Sequence, residues 1–116
     1  MIIDLIKSVI KASKVVEVLE KDEVMLRSHT LKLVQTGTSP YSAGKQTSIT
    51  MLLFEDSEQK NNETYAKIRE VVGEHRAVID GVTLYRLRWS AEQAEIALDA
   101  TWGRHIDLTV IHMEDE

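Results

Sequence analysis

Between Gln46 and Phe54, apolar side chains occupy both parities of the chain: Ile49, Met51 and Leu53 on one, Leu52 and Phe54 with Thr50 on the other. Successive side chains of a strand point to opposite faces, so this segment asks for cover on both faces and a neighbour on both edges. It reads as the central strand of a sheet. The rest of the chain must supply what surrounds it.

Two segments have the helical period. Ile2, Ile3, Ile6, Val9 and Ile10 recur at 3/4 spacing against Asp4, Lys7, Ser8 and Lys11, which predicts a short amphipathic N-terminal helix. After the central strand, Glu55-Asp56-Ser57 offers capping oxygens, with Asp56 and Gln59 at capping-box spacing. Tyr65, Ile68, Val71 and Val72 then form one buried stripe, and Gly73 is placed to end this longer helix.

The remaining segments read as strands and turns. The β-branched run Val15 to Leu19 predicts a strand, and Glu20 to Glu23 a polar turn after it. Val24 to Val34 alternates imperfectly, as a half-buried strand with a bulge would. Gly37 to Gly44 concentrates turn formers around the only proline and is expected to be an exposed, mobile loop. Asp80-Gly81 suits a tight hairpin turn before Val82 to Trp89. There Thr83, Tyr85, Leu87 and Trp89 oppose Val82, Leu84, Arg86 and Arg88, giving an aromatic, apolar face and a basic one. Ser90 to Ala97 is rich in helix formers and reads either way, with Leu98 able to continue an extended arm. Trp102-Gly103-Arg104 is expected to turn into a last strand, His105 to His112. Together these readings give an α+β fold: a mostly antiparallel sheet, an N-terminal helix and one long helix packed on it, and a C-terminal β-hairpin.

A length of 116 residues without a long Pro, Gly or Ser tract fits a single domain spanning 1–116. Asp4 and Lys7 interrupt the apolar start, which argues against a signal peptide, and no segment approaches the ~18 apolar residues of a membrane span, so a cytoplasmic location and no membrane partner are expected. The absence of cysteine excludes disulfides, thiolate metal sites and cysteine nucleophiles within this sequence. A formal charge of −5 argues against broad phosphate-backbone binding, and Glu114-Asp115-Glu116 reads as a solvated end.

Chemical motifs are sparse. Gly44-Lys45-Gln46-Thr47 has an echo of a phosphate-binding loop, but six residues separate Gly37 from Gly44 where the motif has four. Gln46 replaces the magnesium-binding hydroxyl, and a strand follows where a helix is needed. His105 and Asp107 share a strand face, yet nothing brings His29, His75 or His112 to them, so no metal or other cofactor is assigned. No serine lies in a nucleophile elbow and no carboxylate pair stands out, so no catalytic residue is assigned. Arg86 and Arg88, joined by Arg104 across the hairpin, would make a basic stripe beside Tyr85 and Trp89. That stripe suits single-stranded nucleic acid or, equally, an acidic surface on another copy, and the negative net charge favours plain solvation with the aromatics in the core over nucleic acid. With Tyr41 and Lys45 of the proline-containing segment, these arginines are the candidate partner or subunit contacts.

The element order, with Thr47-Ser-Ile-Thr-Met-Leu-Leu-Phe-Glu-Asp leading into Tyr65-Ala-Lys-Ile-Arg-Glu-Val-Val, resembles the tail terminator and tail-completion proteins of long-tailed bacteriophages. Gly81-Val-Thr-Leu-Tyr-Arg-Leu-Arg-Trp and Trp102-Gly-Arg-His-Ile-Asp-Leu-Thr-Val look like that family's final strands. The resemblance implies a non-enzymatic protein that assembles in the cytoplasm and ends in the virion. It would form a homo-oligomeric ring, of six subunits by that likeness, cap the phage tail tube and offer a joining surface to head-connector proteins. The Gly37 to Gly44 segment would become ordered on assembly. An alternative is a small standalone protein-binding module, such as a phage or bacterial inhibitor or regulator.

Overall fold

The computed structural model describes residues 2–19, 29–41, 44–79, 81–96 and 101–112. In chain order the elements are α1 (Ile2–Ser13), β1 (Glu17–Val18), β2 (Thr30–Tyr41), β3 (Gly44–Glu55), α2 (Glu58–Val72), β4 (Ala77–Ile79), β5 (Val82–Ile96) and β6 (Thr101–His112). Among the described residues they form one sheet of six strands in the order β1-β2-β3-β6-β5-β4. Every neighbouring pair is antiparallel except β1 and β2, which run parallel at Glu17 and Val18. The α+β class and the C-terminal hairpin of β5 and β6 are as the sequence predicts, and β3 has a neighbour on each edge.

One face of the sheet is covered. Thr47, Ile49, Met51, Leu53 and Glu55 of β3 are buried, as are Arg104, Ile106, Leu108, Val110 and His112 of β6. They meet Ile6 and Ile10 of α1 and Ile68 and Val72 of α2, all at most 1 % exposed. Ile2, Ile6 and Ile10 lie four residues apart, one above the other on the helix, so α1 presents a single ridge to the core. That helix touches β1 and β2 near one edge and β4 at the other, and the sheet therefore curls around it. Burying a side chain such as Ile6 or Ile10 stabilises the fold by about 1.5–3 kcal/mol each.

The opposite parity of β3 is covered less than its composition predicts. Phe54 is buried, but Leu52 is 36 % exposed and Gln46, Ser48 and Thr50 are half-buried. The central strand is central in the plane of the sheet, not in its thickness.

Several local expectations are corrected. Of the predicted Gly37 to Gly44 loop, Gly37 to Tyr41 and Gly44 are strand and Ser42 and Ala43 lie outside the described residues; β2 pairs with β3 from Thr30↔Phe54 to Tyr41↔Gly44, with one register shift between Gln35 and Gly37. A ladder already set by Leu31 and Leu33 against Leu53 and Met51 extends residue by residue, and cross-strand pairing outweighs turn propensity. Helix α2 is capped by Ser57, whose hydroxyl accepts a 3.1 Å hydrogen bond from the Lys60 amide, so the expected pairing of Asp56 with Gln59 is out of step by one residue. The open reading of Ser90 to Ala97 resolves to strand over Ser90 to Ile96, where pairing with Thr101 to Asp107 of β6 overrides helix propensity, while Ala97 and Leu98 lie outside the described residues. Trp102, Gly103 and Arg104 belong to β6 and make no turn. The predicted turn at Glu20 to Glu23 and the Val24 to Ser28 part of the second predicted strand lie outside the described residues.

Two glycines act as anticipated. Gly73 ends α2 at φ +120°, its amide donating to the Arg69 carbonyl, and a Cβ there would stand 2.9 Å from the Ala77 Cβ. Gly81, at φ +80°, belongs to the two-residue connection between Ile79 and Val82.

Candidate functional site

The helix-free face of the sheet is built in rows across β2, β3, β6 and β5. Register places Lys32, Leu52, His105 and Glu92 in one row and Val34, Thr50, Asp107 and Ser90 in the next. Then come Gly37, Ser48, Thr109 and Arg88, followed by Ser39, Gln46, Ile111 and Tyr85. Thr50 Oγ1 donates a 3.2 Å hydrogen bond to Asp107 Oδ1, and His105 Nε2 lies 3.6 Å from the same oxygen. Toward the last two rows Gln46, Arg86, Arg88, Thr109 and Ile111 surround an open groove of about 230 Å³.

A bulge in β5 creates this arrangement. Leu84 and Tyr85 pair with His112 and Ile111, whereas Arg88 pairs with Thr109, so Arg86 and Leu87 together oppose Val110. Arg86 takes φ +49° there, in the left-handed region that few non-glycine residues enter. The extra residue resets the parity. Leu84 and Leu87 both turn into the core, while Tyr85, Arg86 and Arg88 are exposed. The simple alternation expected from the sequence fails here, since it groups Leu84 with the arginines and Tyr85 with Leu87. Tyr85 is 38 % exposed and carries the Arg76 guanidinium 5.3 Å from its ring centre.

Of the five residues singled out from sequence, Arg86 and Arg88 come together in the groove. Arg104 leaves that group: it is 8 % exposed and sits on the opposite, helix-covered face. Its Nε donates a 2.6 Å hydrogen bond to Asn61 Oδ1, a terminal nitrogen donates to Asn62 Oδ1, and its guanidinium lies 4.5 Å over the Tyr65 ring. Burial pulls the Arg104 pKa below the usual arginine value, opposed by Tyr65 and Glu58. Lys45 pairs with Pro40 and His112 and has the parity of Thr47, the covered side. Tyr41 is the last residue of β2, opposite Gly44, and its side chain lies outside the described residues.

Trp89 is also absent from the arginine face. Its indole nitrogen donates to the Gly73 carbonyl at 2.9 Å, its ring packs edge-on against Tyr65 with centres 6.2 Å apart, and Arg69 lies 5.8 Å over it. Burial works against the Arg69 charge, but the hydrogen bond and charge of Glu74, with Tyr65, outweigh it and raise its pKa. Only Tyr85 remains beside the groove, and a base-stacking platform of two aromatics is not formed.

A buried polar cluster went unread in the sequence. Glu55 is fully buried; one of its carboxylate oxygens, Oε2, pairs with His29 Nδ1 at 2.8 Å and accepts from the Thr64 hydroxyl. Asn61, also fully buried, donates 2.8 Å to the Trp102 carbonyl while accepting from Arg104. The signal was present: Glu55 continues the parity of Ile49, Met51 and Leu53, which points its carboxylate inward. At the other end of the same face Thr47 Oγ1 lies 2.8 Å from His112 Nε2. These groups tie α2 and the strand ends together. Among the described residues no three His, Asp or Glu side chains converge as a metal site.

The groove therefore offers two guanidiniums, one amide and one hydroxyl above an apolar wall. Guanidinium forks match carboxylate geometry, and they lose less freedom than ammonium groups in doing so. The class that fold and site define is an α+β domain with one sheet face covered by the helices and the other left uncovered among the described residues. A chain of the solved structure titled "Virion of native gene transfer agent (GTA) particle" has this fold: it superposes with a TM-score of 0.58 over 91 % of this chain and 84 % of that chain, at 8 % sequence identity. No family model matches the sequence, and no curated protein does.

Proposed function

We propose that this protein is a virion structural protein of the tail-terminator type, which caps a phage tail tube as an oligomeric ring and presents a surface for joining the head. The observation that carries the reading is the fold shared with a virion chain over nearly the whole of both chains. The bare face supports it. Four strands lie open to a neighbour, and Val34, Leu52, Val78 and Tyr85 are large side chains left exposed. Self and the tube and head-connector proteins are the proposed partners, with the cytoplasm as the place of assembly and the virion as the final location.

The test is the absolute mass of the purified protein across a wide concentration range, followed by addition of preformed tail tubes. A ring-sized species, or capture of smaller species at tube ends, is the expected result. Monomers that ignore tubes at every concentration would remove the reading and leave the alternative of a standalone inhibitor or regulator, for which the arginine groove would be the docking site.

A further inference from the structure

The helix-free face is matched to itself across its width. Of the four strands that build it, β2 and β5 are the outer pair, and large side chains on one share a row with small ones on the other. Arg88 shares its row with Gly37, and Tyr85 shares its row with Ser39. In the next row toward Leu52 the order reverses, with Val34 on β2 and Ser90 on β5. All six are exposed, and a Cβ placed on Gly37 would meet nothing within 4 Å, so the recess over β2 is open space. With strands about 4.8 Å and rows about 7 Å apart, the four rows cover about 500 Å² per copy. A pair of such faces removes about 1,000 Å², the size at which specific interfaces begin.

We propose that this face is an isologous interface: two copies of this chain stack it face to face about a two-fold axis parallel to the strands. Rotation about that axis keeps strand direction and row, and exchanges β2 with β5 and β3 with β6. Each Arg88 then lies over Gly37 of the other copy and each Tyr85 over its Ser39, while Val34 covers Ser90. Lys32, which also has a contact in its own copy, meets the opposite charge of Glu92. Asp107 comes over a second Thr50, the hydroxyl it already accepts from within one copy. Sheets about 10 Å apart with strand directions within about 30° are the aligned packing of β-sandwiches. A two-fold axis across the strands would instead lay each strand on its own copy and lose the matching of β2 with β5. The contact closes at two copies, so it goes beyond the ring proposed above and does not depend on it.

The sequence has no cysteine, so single-cysteine variants of the full chain give an unambiguous probe. Val34→Cys and Ser90→Cys are prepared separately, mixed, and treated with a bismaleimide too short to span the width of the face. The mixture is expected to give a covalent dimer. Each variant alone is expected to give at least tenfold less, because the axis sets the two copies of position 34 on opposite sides of the pair. Light scattering is expected to show the unaltered protein as a dimer that dissociates on dilution. Leu52→Glu should weaken that association at least tenfold, with an unchanged circular dichroism spectrum to show that the fold is kept. Linking of Val34→Cys to itself, no linking in the mixture, or an unaltered protein that stays monomeric would each overturn the proposal. A monomer whose tube capture is lost with Leu52→Glu would assign the face to the tube instead. Failure of tube capture by a protein that still links in the mixture removes the terminator reading and leaves the pair standing.

Discussion

Arg86 occupies a backbone conformation that costs a non-glycine residue roughly 1–2 kcal/mol, and it does so at the one position where the β5 parity is reset. Glycine takes that conformation without the Cβ clash, so Arg86→Gly is expected to leave thermal stability unchanged or raise it by about 1 kcal/mol while removing one wall of the groove. A melting curve paired with the self-association measurement separates the two effects. Arg104 gives the opposite expectation. Arg104→Ala leaves the buried Asn61 Oδ1 without its donor and removes the stack on Tyr65, a loss of about 1–3 kcal/mol in denaturant titration. Two arginines read from sequence as members of one stripe thus divide into a surface group and a buried one. The division was legible in part: Arg104 shares the parity of Ile106, Leu108 and Val110, which alone argues for burial. The bulge at Arg86 was not legible, because no glycine or asparagine marks it and the register that requires it is set by β6.

At the level of elements, the helical and strand periods predicted both helices, the central strand and the last strand, and Gly81 marked the antiparallel β4–β5 pair, its expected turn partner Asp80 lying outside the described residues. The periods failed where pairing decided the outcome, at Gly37 to Tyr41, and left Ser90 to Ile96 open between helix and strand. Local residues there favour turn or helix, and the partners that hold them as strands lie elsewhere in the chain. Glu55 shows the same limit in another form: its parity points inward, but the partners that make an inward carboxylate tolerable, His29 and Thr64, come from different elements. Helix α1 depends on its isoleucine ridge, since Ile2, Ile6 and Ile10 are its buried contacts with the curled sheet. Ile6→Ala should cost about 2–5 kcal/mol by equilibrium unfolding, the range for deleting a buried branched side chain. At the far end of α2, Gly73→Ala must meet both an unsuitable φ and a 2.9 Å contact with Ala77, and a loss of at least about 1 kcal/mol is expected in the same measurement.

Among the described residues the molecule is asymmetric across its sheet: both helices cover one face, and the other carries polar residues with a few large apolar ones. Leu52→Glu on that open face should shift the melting temperature by only a few degrees, corresponding to about 1 kcal/mol, yet weaken tube capture if the bare sheet is the docking surface. The strand order has a consequence for synthesis. β3 gains its second edge from β6, with Lys45 opposite His112 and Glu55 opposite Trp102, so the middle of the sheet stays open until β6 has left the ribosome. Chains stopped before Thr101 hold β1-β2-β3 and β4-β5 as two separate ribbons without the strand that joins them, and such fragments are substrates for proteolysis and aggregation. Closing a sheet from partners this distant also places refolding of the complete chain in the millisecond-to-second range of non-local β topologies.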